Sequence, residues 1–225
     1  MDYVTLNNGV QMPQLGYGVY QVKNEECERC VLDAISVGYR AIDTAQSYGN
    51  EDAVGSAIVK CGVPRDQLFL TTKVWISNEG YEKAKASIDK SLKNLQTDYI
   101  DLLLIHQPFG DYYGTYRAME EAYKAGKLRA IGVSNFYPDR LIDLCQFVEV
   151  TPAVNQVETH VFQQQKAAHE YMEKYHVILS RLVDTFISRI SLTMLPVPKP
   201  HNTACVLSWE EARRWQSRSS GYSSS

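Results

Sequence analysis

The chain has 225 residues, of which 44% are hydrophobic and 22% charged, and its formal net charge is −3 at pH 7. These are ordinary values for a globular protein, and the charge offers no electrostatic reason to expect nucleic acid or an anionic membrane as a partner. No uninterrupted apolar stretch approaches the roughly 18 residues of a membrane span, and the N-terminus lacks the features of a secretion signal.

A β-hairpin and then alternating strands and helices are predicted in chain order. Two short strands flank the turn sequence Asn7-Asn8-Gly9. Six apolar runs follow, separated by amphipathic segments of helical length, and the runs end near Tyr20, Asp43, Lys73, His106, Asn135 and Gln156. About 30 residues per unit is typical of βαβ elements, but a complete eightfold barrel needs about 250 residues. We therefore predict an α/β fold, a TIM-type (β/α)8 barrel that is incomplete, with about six βα units after an N-terminal β-hairpin.

The cysteines indicate the compartment. Five is an odd number, which favours a reducing environment, so we expect a cytoplasmic protein. Cys27 and Cys30 form a CxxC pair, but the pattern around them is helical and no second pair follows at zinc-site spacing. Two ordinary helix cysteines explain this pair better than a metal or redox site, and no metal is predicted.

Ionisable residues stand where three of the predicted strands end. Because parallel strands point the same way, Asp43, Lys73 and His106 should meet at one rim, with Tyr48 in the loop after Asp43. A phenol has a reference pKa of ~10, and a neighbouring ammonium lowers it. A carboxylate would hold the ammonium, and an imidazole would polarise a carbonyl oxygen. The set suits proton donation to a developing alkoxide, as carbonyl reduction requires.

Amides and aromatic residues complete the predicted site. Ser134, Asn135 and Gln156 offer donors and acceptors suited to a planar carboxamide such as that of nicotinamide. Taken singly, each ionisable residue has a structural explanation: a satisfied histidine, a turn aspartate, or a lysine extending from a strand end. Large aromatic side chains are equally common in a core. Several strand-end positions in one chain favour the functional interpretation.

The motifs in this order closely resemble those of the aldo-keto reductase family. The resemblance covers residues 1 to about 178 and rests on segments 38–51, 72–75, 98–102, 106–108, 132–136 and 152–156. Segments 18–21 and 106–111 are similar to the microbial diketogluconate-reductase branch. The family binds its dinucleotide without a GxGxxG loop, and none is present here.

The resemblance implies a role for each predicted site residue. Tyr48 would be the proton donor, Lys73 and Asp43 would tune it, and His106 would orient the substrate carbonyl. Ser134, Asn135 and Gln156 would bind the nicotinamide amide of NADPH. The pocket for a small carbonyl substrate would be lined by Tyr20, Trp75, His106 and Phe109. A monomer is the expected state of the family.

Residues 179–225 do not match the family and lack a strand or helix pattern. They are rich in serine and contain the proline-rich segment 195–200, so we expect a non-homologous tail, frameshifted or disordered. A seventh strand and the family's phosphate-binding residues are not recognised there. The sequence therefore predicts weak NADPH binding, impaired turnover, and self-association through open sheet edges.

Two functions remain open from the sequence. The first is NADPH-dependent reduction of aldehydes and ketones. The alternative is a catalytically inactive variant that acts as a binding or regulatory protein. An isomerase on the same fold would require a catalytic glutamate at a strand end, and no convincing one is found.

Overall fold

A curled sheet of parallel strands, with helices on its outer side, forms the molecule. The computed structural model describes residues 1–160, 162–182 and 204–206. Two strands come first and pair antiparallel as a hairpin: β1 (Tyr3–Thr5) and β2 (Gln11–Pro13). The parallel strands are β3 (Gly16–Gly18), β4 (Ala41–Asp43), β5 (Phe69–Val74), β6 (Leu102–Ile105), β7 (Ile131–Ser134), β8 (Val154–Glu158) and β9 (Ile178–Leu182). The helices are α1 (Asn24–Ser36), α2 (Glu51–Lys60), α3 (Tyr81–Asn94), α4 (Tyr112–Lys124), α5 (Pro138–Phe147) and α6 (Lys166–Lys174).

Sheet order follows chain order, as a barrel of βα units requires. Each strand from β3 to β8 pairs in parallel with the next, so that β9 is the last of the parallel series. The predicted fold class is therefore confirmed, and the predicted hairpin is also present. A last short strand, β10 (Ala204–Val206), pairs antiparallel with the outer edge of β3.

Two elements differ from the sequence prediction. β9 is a seventh parallel strand, one more than the predicted six; it lies next to the unpatterned segment, which hid it. The sequence predicts a long loop over residues 107–116 before the fourth helix, whereas α4 begins at Tyr112, because the Asp111 side chain accepts a hydrogen bond from the Gly114 amide and caps the helix there. Of the predicted tail 179–225, only 179–182 and 204–206 lie within the described residues.

Alternating strand residues divide the core into two clusters. On β6, Leu102 and Leu104 face the inner cluster, whereas Leu103 and Ile105 pack in the outer cluster beneath the helices. The hairpin covers the amino-terminal end of the sheet, where Leu6 and Met12 join the inner cluster. β6 is accordingly apolar on both faces, as a strand covered on both sides of the sheet should be.

A buried carboxylate ties the sheet together at the end opposite the rim. Asp101, which precedes β6, is fully buried and pairs with Arg65 at 2.8 Å and Arg129 at 2.7 Å. Its Oδ2 also accepts a hydrogen bond from the Leu70 amide at 2.9 Å. These partners compensate the cost of burying the charge.

Within the part of the chain that the structure describes, no helix has both the length and the apolar character that crossing a bilayer requires.

Helices α2 and α3 approach closely at Gly55. A Cβ atom on Gly55 would lie 2.3 Å from the Asn94 carbonyl oxygen, which belongs to the backbone and cannot rotate away. We expect Gly55→Ala to lower the free energy of unfolding by about 2 kcal/mol, although alanine is the better helix former. Urea denaturation measures the change. Val59→Ala, at an exposed site on the same helix, should stay within about 0.5 kcal/mol of wild type; an equal loss in both variants would contradict the packing explanation.

Candidate active site

Three neighbouring strands bring a carboxylate, an ammonium and an imidazole to one rim. Asp43 ends β4, Lys73 is the penultimate residue of β5, and His106 follows β6. All three side chains are buried, Lys73 to 1% exposure. The Lys73 ammonium forms an ion pair with Asp43 and donates to the Thr44 carbonyl at 3.0 Å. The charge of the ammonium is therefore compensated from one side, and its remaining proton is free to face the phenol.

A 3-10 turn, Gln46–Tyr48, carries the phenol to the ammonium. Lys73 Nζ lies 3.5 Å from the Tyr48 hydroxyl and 5.1 Å from the centroid of its ring. Buried Asn50 holds the loop: its Nδ2 donates to the Val19 and Val22 carbonyls at 3.0 and 3.1 Å. These bonds anchor the base of the turn that carries Tyr48 to the loop after β3.

Burial controls the acidity of this phenol. The sequence predicts that Lys73 lowers the pKa of Tyr48. The net direction is the opposite: desolvation by burial raises the pKa, the Lys73 ammonium acts against that rise, and Asp43 adds to it. The effect predicted for Lys73 is therefore present, but burial outweighs it, and the net pKa of Tyr48 is higher than that of a free phenol. Tyr48 therefore stays protonated at neutral pH and can act as an acid.

The pKa values of Lys73 and His106 are shifted in opposite directions. Burial acts to lower the pKa of Lys73, but Asp43 and Tyr48 outweigh it and the pKa is raised, so the ammonium keeps its charge. Burial, with a smaller contribution from Lys73, lowers the pKa of His106 to about 3. The imidazole is consequently neutral at physiological pH, and it can donate one hydrogen bond but cannot supply a charge.

Aromatic rings surround the imidazole and the phenol. The Trp75 ring meets His106 edge to face at 5.0 Å, and Tyr48 meets it at 5.7 Å. The Tyr20 ring lies 5.1 Å from that of Tyr48. Phe109 is placed on the loop after β6 but is 58% exposed, and it makes no ring contact with the others within the described residues. Three of the four predicted substrate-lining residues therefore form one cluster, and Phe109 stands apart from it.

The three predicted amide and hydroxyl residues lie beside this cluster: Ser134 ends β7, Asn135 follows it, and Gln156 is in the middle of β8. Gln156 Nε2 donates to Asp43 Oδ2 at 2.9 Å, which leaves its Oε1 buried and without a hydrogen-bond partner in the described chain. Ser134 Oγ donates to the Gln156 carbonyl at 2.9 Å and accepts from Asn135 Nδ2 at 3.2 Å. An unpartnered buried acceptor beside two side chains with hydrogen-bonding capacity fits a planar carboxamide, such as that of a nicotinamide.

Two residues beside Tyr48 contact the site, and neither is singled out by the sequence. Gln46 Oε1 accepts from the Trp75 amide at 3.0 Å and from Asn78 Nδ2 at 2.8 Å. Ser47 Oγ lies 3.4 Å from His106 Nδ1. Their only signal is membership of the segment 38–51; the irregular turn has no periodicity from which their direction could be read.

Four cysteine side chains are described, and none of them belongs to the group of residues at the rim. Cys27, Cys30, Cys61 and Cys145 are free, and burial together with the neighbouring Cys30 raises the pKa of Cys27 to about 12. Among the residues described, no group of three or more His, Cys, Asp or Glu side chains is arranged to hold a metal ion. The chemistry of the rim therefore has to be argued from its own side chains.

Known proteins match most of the chain. A family model described as "Aldo/keto reductase family" matches residues 10–182. The chain is 51% identical over 172 residues to glyoxal reductase from Bacillus subtilis, covering 76% of this chain and 62% of that protein. It thus spans about three fifths of the length of the curated relatives it matches.

Two solved structures are also similar. An aldo/keto reductase from Brucella melitensis superimposes with a TM-score of 0.78 at 44% identity, covering 79% of this chain and 70% of that one. An aldo-keto reductase from Bombyx mori in complex with NADP superimposes with a TM-score of 0.79 at 30% identity, covering 88% and 71% of the two chains. The match therefore extends from the sequence motifs to the three-dimensional arrangement of the strands.

Proposed function

Because the chain belongs to the aldo/keto reductase family, we propose that its rim reduces a small aldehyde or ketone to an alcohol with NADPH. The observation that carries the proposal is the buried phenol of Tyr48, 3.5 Å from an ammonium that is itself paired with Asp43. A protonated phenol beside a fixed positive charge is suited to donate its proton to an oxygen on which negative charge develops.

Each residue of the rim has a separate task in this proposal. Tyr48 gives its proton to the carbonyl oxygen, and Lys73 stabilises the phenolate that remains. Asp43 keeps Lys73 charged and in place. His106, neutral at working pH, hydrogen-bonds the same carbonyl oxygen and orients it. Tyr20 and Trp75 exclude water from one side of the substrate, and Phe109 extends the opening toward solvent.

The amide cluster is assigned to the cofactor. NADPH, when bound, supplies a hydride to the carbonyl carbon. Gln156 Oε1 accepts from the nicotinamide amide in this proposal, while Asn135 and Ser134 hold its other side. The choice of NADPH over NADH is supported by the NADP complex of the Bombyx mori relative.

The free thiols support a reducing compartment such as the cytoplasm, and the family resemblance supports a monomer.

An assay of cofactor oxidation and product tests the proposal. Purified protein is mixed with NADPH and a reactive dialdehyde such as glyoxal, and both NADPH absorbance and the hydroxyaldehyde product are followed. We expect one molecule of product for each NADPH consumed. NADPH binding without any product would instead favour the binding or regulatory alternative, and no binding would refute both the cofactor assignment and the reaction.

A variant of Gln156 tests the cofactor assignment separately. Gln156→Met keeps the volume but removes the buried acceptor and the hydrogen bond to Asp43. We expect the dissociation constant for NADPH to rise about tenfold, since hydrogen bonds in such sites contribute about 1 to 3 kcal/mol. Fluorescence titration measures it. Gln146→Met removes an amide that bonds Tyr175 on the surface of α5 and serves as the control; equal affinities in the two variants would exclude Gln156 from the cofactor site.

A further inference from the structure

His106 has one ring nitrogen bonded to the protein and one that is open. Nδ1 lies 3.4 Å from Ser47 Oγ. Within the part of the chain that the structure describes, Nε2 makes no hydrogen bond to protein. Because burial keeps the ring neutral, it carries a single proton, which is either on Nδ1 or on Nε2. Which nitrogen carries it determines whether the open side of the ring donates or accepts.

The rest of the site fixes the ring but does not choose its tautomer. Trp75 and Tyr48 pack edge to face against the imidazole at 5.0 and 5.7 Å, and those contacts are the same for either tautomer. Asn135 Nδ2 donates to the backbone carbonyl of His106 at 3.1 Å, which holds the main chain and not the ring nitrogens. The charged groups nearest the ring are Lys73 and, behind it, Asp43, and Lys73 disfavours an added proton. Among the residues that the structure describes, Ser47 is thus the side chain within hydrogen-bond distance of His106 Nδ1.

We propose that Ser47 is a positioning residue that donates its hydroxyl proton to His106 Nδ1 and so keeps the imidazole proton on Nε2, toward the substrate. This rests on the proposed carbonyl reduction, in which an oxygen acceptor approaches the open nitrogen. A hydroxyl can donate and accept, but the neutral ring has one proton to give. When that proton lies on Nε2, both nitrogens are satisfied: Nδ1 by Ser47 and Nε2 by the carbonyl oxygen. The opposite tautomer would direct a lone pair at the carbonyl oxygen and repel it.

Ser47 lies where it can be substituted without disturbing the buried part of the site. It lies in the same 3-10 turn as Tyr48, so the proton donor and the residue that sets the histidine tautomer are adjacent in the chain. Its side chain is exposed on one side, whereas His106 is buried to 9% exposure. Substitution of Ser47 therefore changes the hydrogen bond without opening the core.

The test is nitrogen NMR spectroscopy of the histidine rings in the whole chain, recorded without cofactor or substrate. The chemical shifts of the two ring nitrogens show which of them carries the proton. The chain has five histidines, so the signals of His106 can be assigned by a His106→Gln spectrum. We expect wild type and Ser47→Thr to show the Nε2-protonated tautomer, and Ser47→Ala to show a mixture. Ser77→Ala, an exposed serine in the next rim turn, should leave the spectrum unchanged. An Nδ1-protonated ring in wild type, or an unchanged ring in Ser47→Ala, would overturn the proposal.

Kinetics give the second measurement. Loss of one neutral hydrogen bond should lower kcat/KM for the aldehyde about three- to tenfold in Ser47→Ala, with recovery in Ser47→Thr and no change in NADPH affinity. Unchanged kcat/KM in a Ser47→Ala protein whose tautomer has shifted would also overturn it. If the chain shows no reductase activity at all, the proposed function fails, while the spectrum still decides whether Ser47 sets the tautomer.

Discussion

Replacing Tyr48 by phenylalanine should lower kcat for aldehyde reduction by about 10²- to 10⁴-fold, the range typical for removal of a positioned general acid. The phenyl ring retains its contact with Tyr20 at 5.1 Å and its position over Lys73, so only the hydroxyl is lost. NADPH affinity should stay within about twofold, because Tyr48 makes no contact with the amide cluster assigned to the cofactor.

The matched control is Tyr113→Phe. It removes a phenol hydroxyl that donates to Asp143 at 2.7 Å at an exposed position, and because neither residue is assigned a part in the reaction it should retain wild-type kcat. Steady-state oxidation of NADPH at saturating aldehyde measures both variants. A Tyr48→Phe enzyme that keeps more than about a tenth of the wild-type kcat would show that another group delivers the proton.

The pH profile follows from the directions of the pKa shifts. Burial raises the pKa of Tyr48 above the ordinary value of about 10 for a phenol, so the acid form persists throughout the neutral range. His106 has a pKa lowered to about 3 and stays neutral there as well. We therefore expect kcat/KM for reduction to be flat between about pH 6 and pH 9 and to decline only in the strongly alkaline range.

Lys73→Met should impair both stability and turnover. The substitution leaves the Asp43 carboxylate buried without its ion-pair partner, and breaking such a pair costs about 3 to 5 kcal/mol of unfolding free energy. It also removes the charge that stabilises the phenolate, so kcat should fall at least about 10²-fold. Urea denaturation and the NADPH assay measure the two effects.

A double variant separates those effects. Asp43→Asn combined with Lys73→Met removes both charges and keeps an amide oxygen to accept from Gln156, so most of the lost stability should return. Turnover should not return, because the phenol still lacks its cation. Recovery of both properties would mean that Lys73 acts on the fold alone, and recovery of neither would mean that the ion pair is not the source of the instability.

The same groups determine how stability depends on pH. The pKa of Lys73 is raised in the folded state, so its contribution is fully present below the unfolded pKa and is lost as pH rises through the folded value. The raised pKa of Tyr48 acts in the same direction, because the unfolded chain releases that proton first. The wild-type unfolding free energy should consequently fall in the alkaline range through these two groups, and also as pH falls below the ordinary histidine pKa of about 6.5, because the unfolded chain protonates His106 before the folded chain does.

Sequence patterning predicts the fold and the rim because both follow from strand ends. Asp43, Lys73 and His106 each terminate or follow an apolar run, and parallel topology brings such positions together. β9 is missed because Ser180 and Arg181 give it no apolar signal, although it pairs with β8 over its whole length. The early start of α4 is missed because a single cap, Asp111, decides it.

The direction of side chains in irregular turns is not readable in the same way. Gln46 and Ser47 contact Trp75 and His106 through a 3-10 turn whose residues lie on no repeating face. The net pKa of Tyr48 is equally out of reach, because it depends on how far burial outweighs one ammonium that is already paired. Residue types indicate how one neighbour acts on a pKa, whereas the net pKa depends on burial and distances that only the three-dimensional structure gives.

The hairpin that covers the amino-terminal end of the sheet makes the barrel asymmetric from end to end. With Leu6 and Met12 filling that end and Asp101 held by two arginines beside it, side chains there contribute to holding the strands together. The groups assigned to chemistry lie toward the opposite end, in the last part of the strands and in the loops that follow them. An engineer can therefore attach a label or a fusion partner near Met1 without crowding the substrate opening, and can diversify the rim loops on a scaffold whose integrity is secured elsewhere.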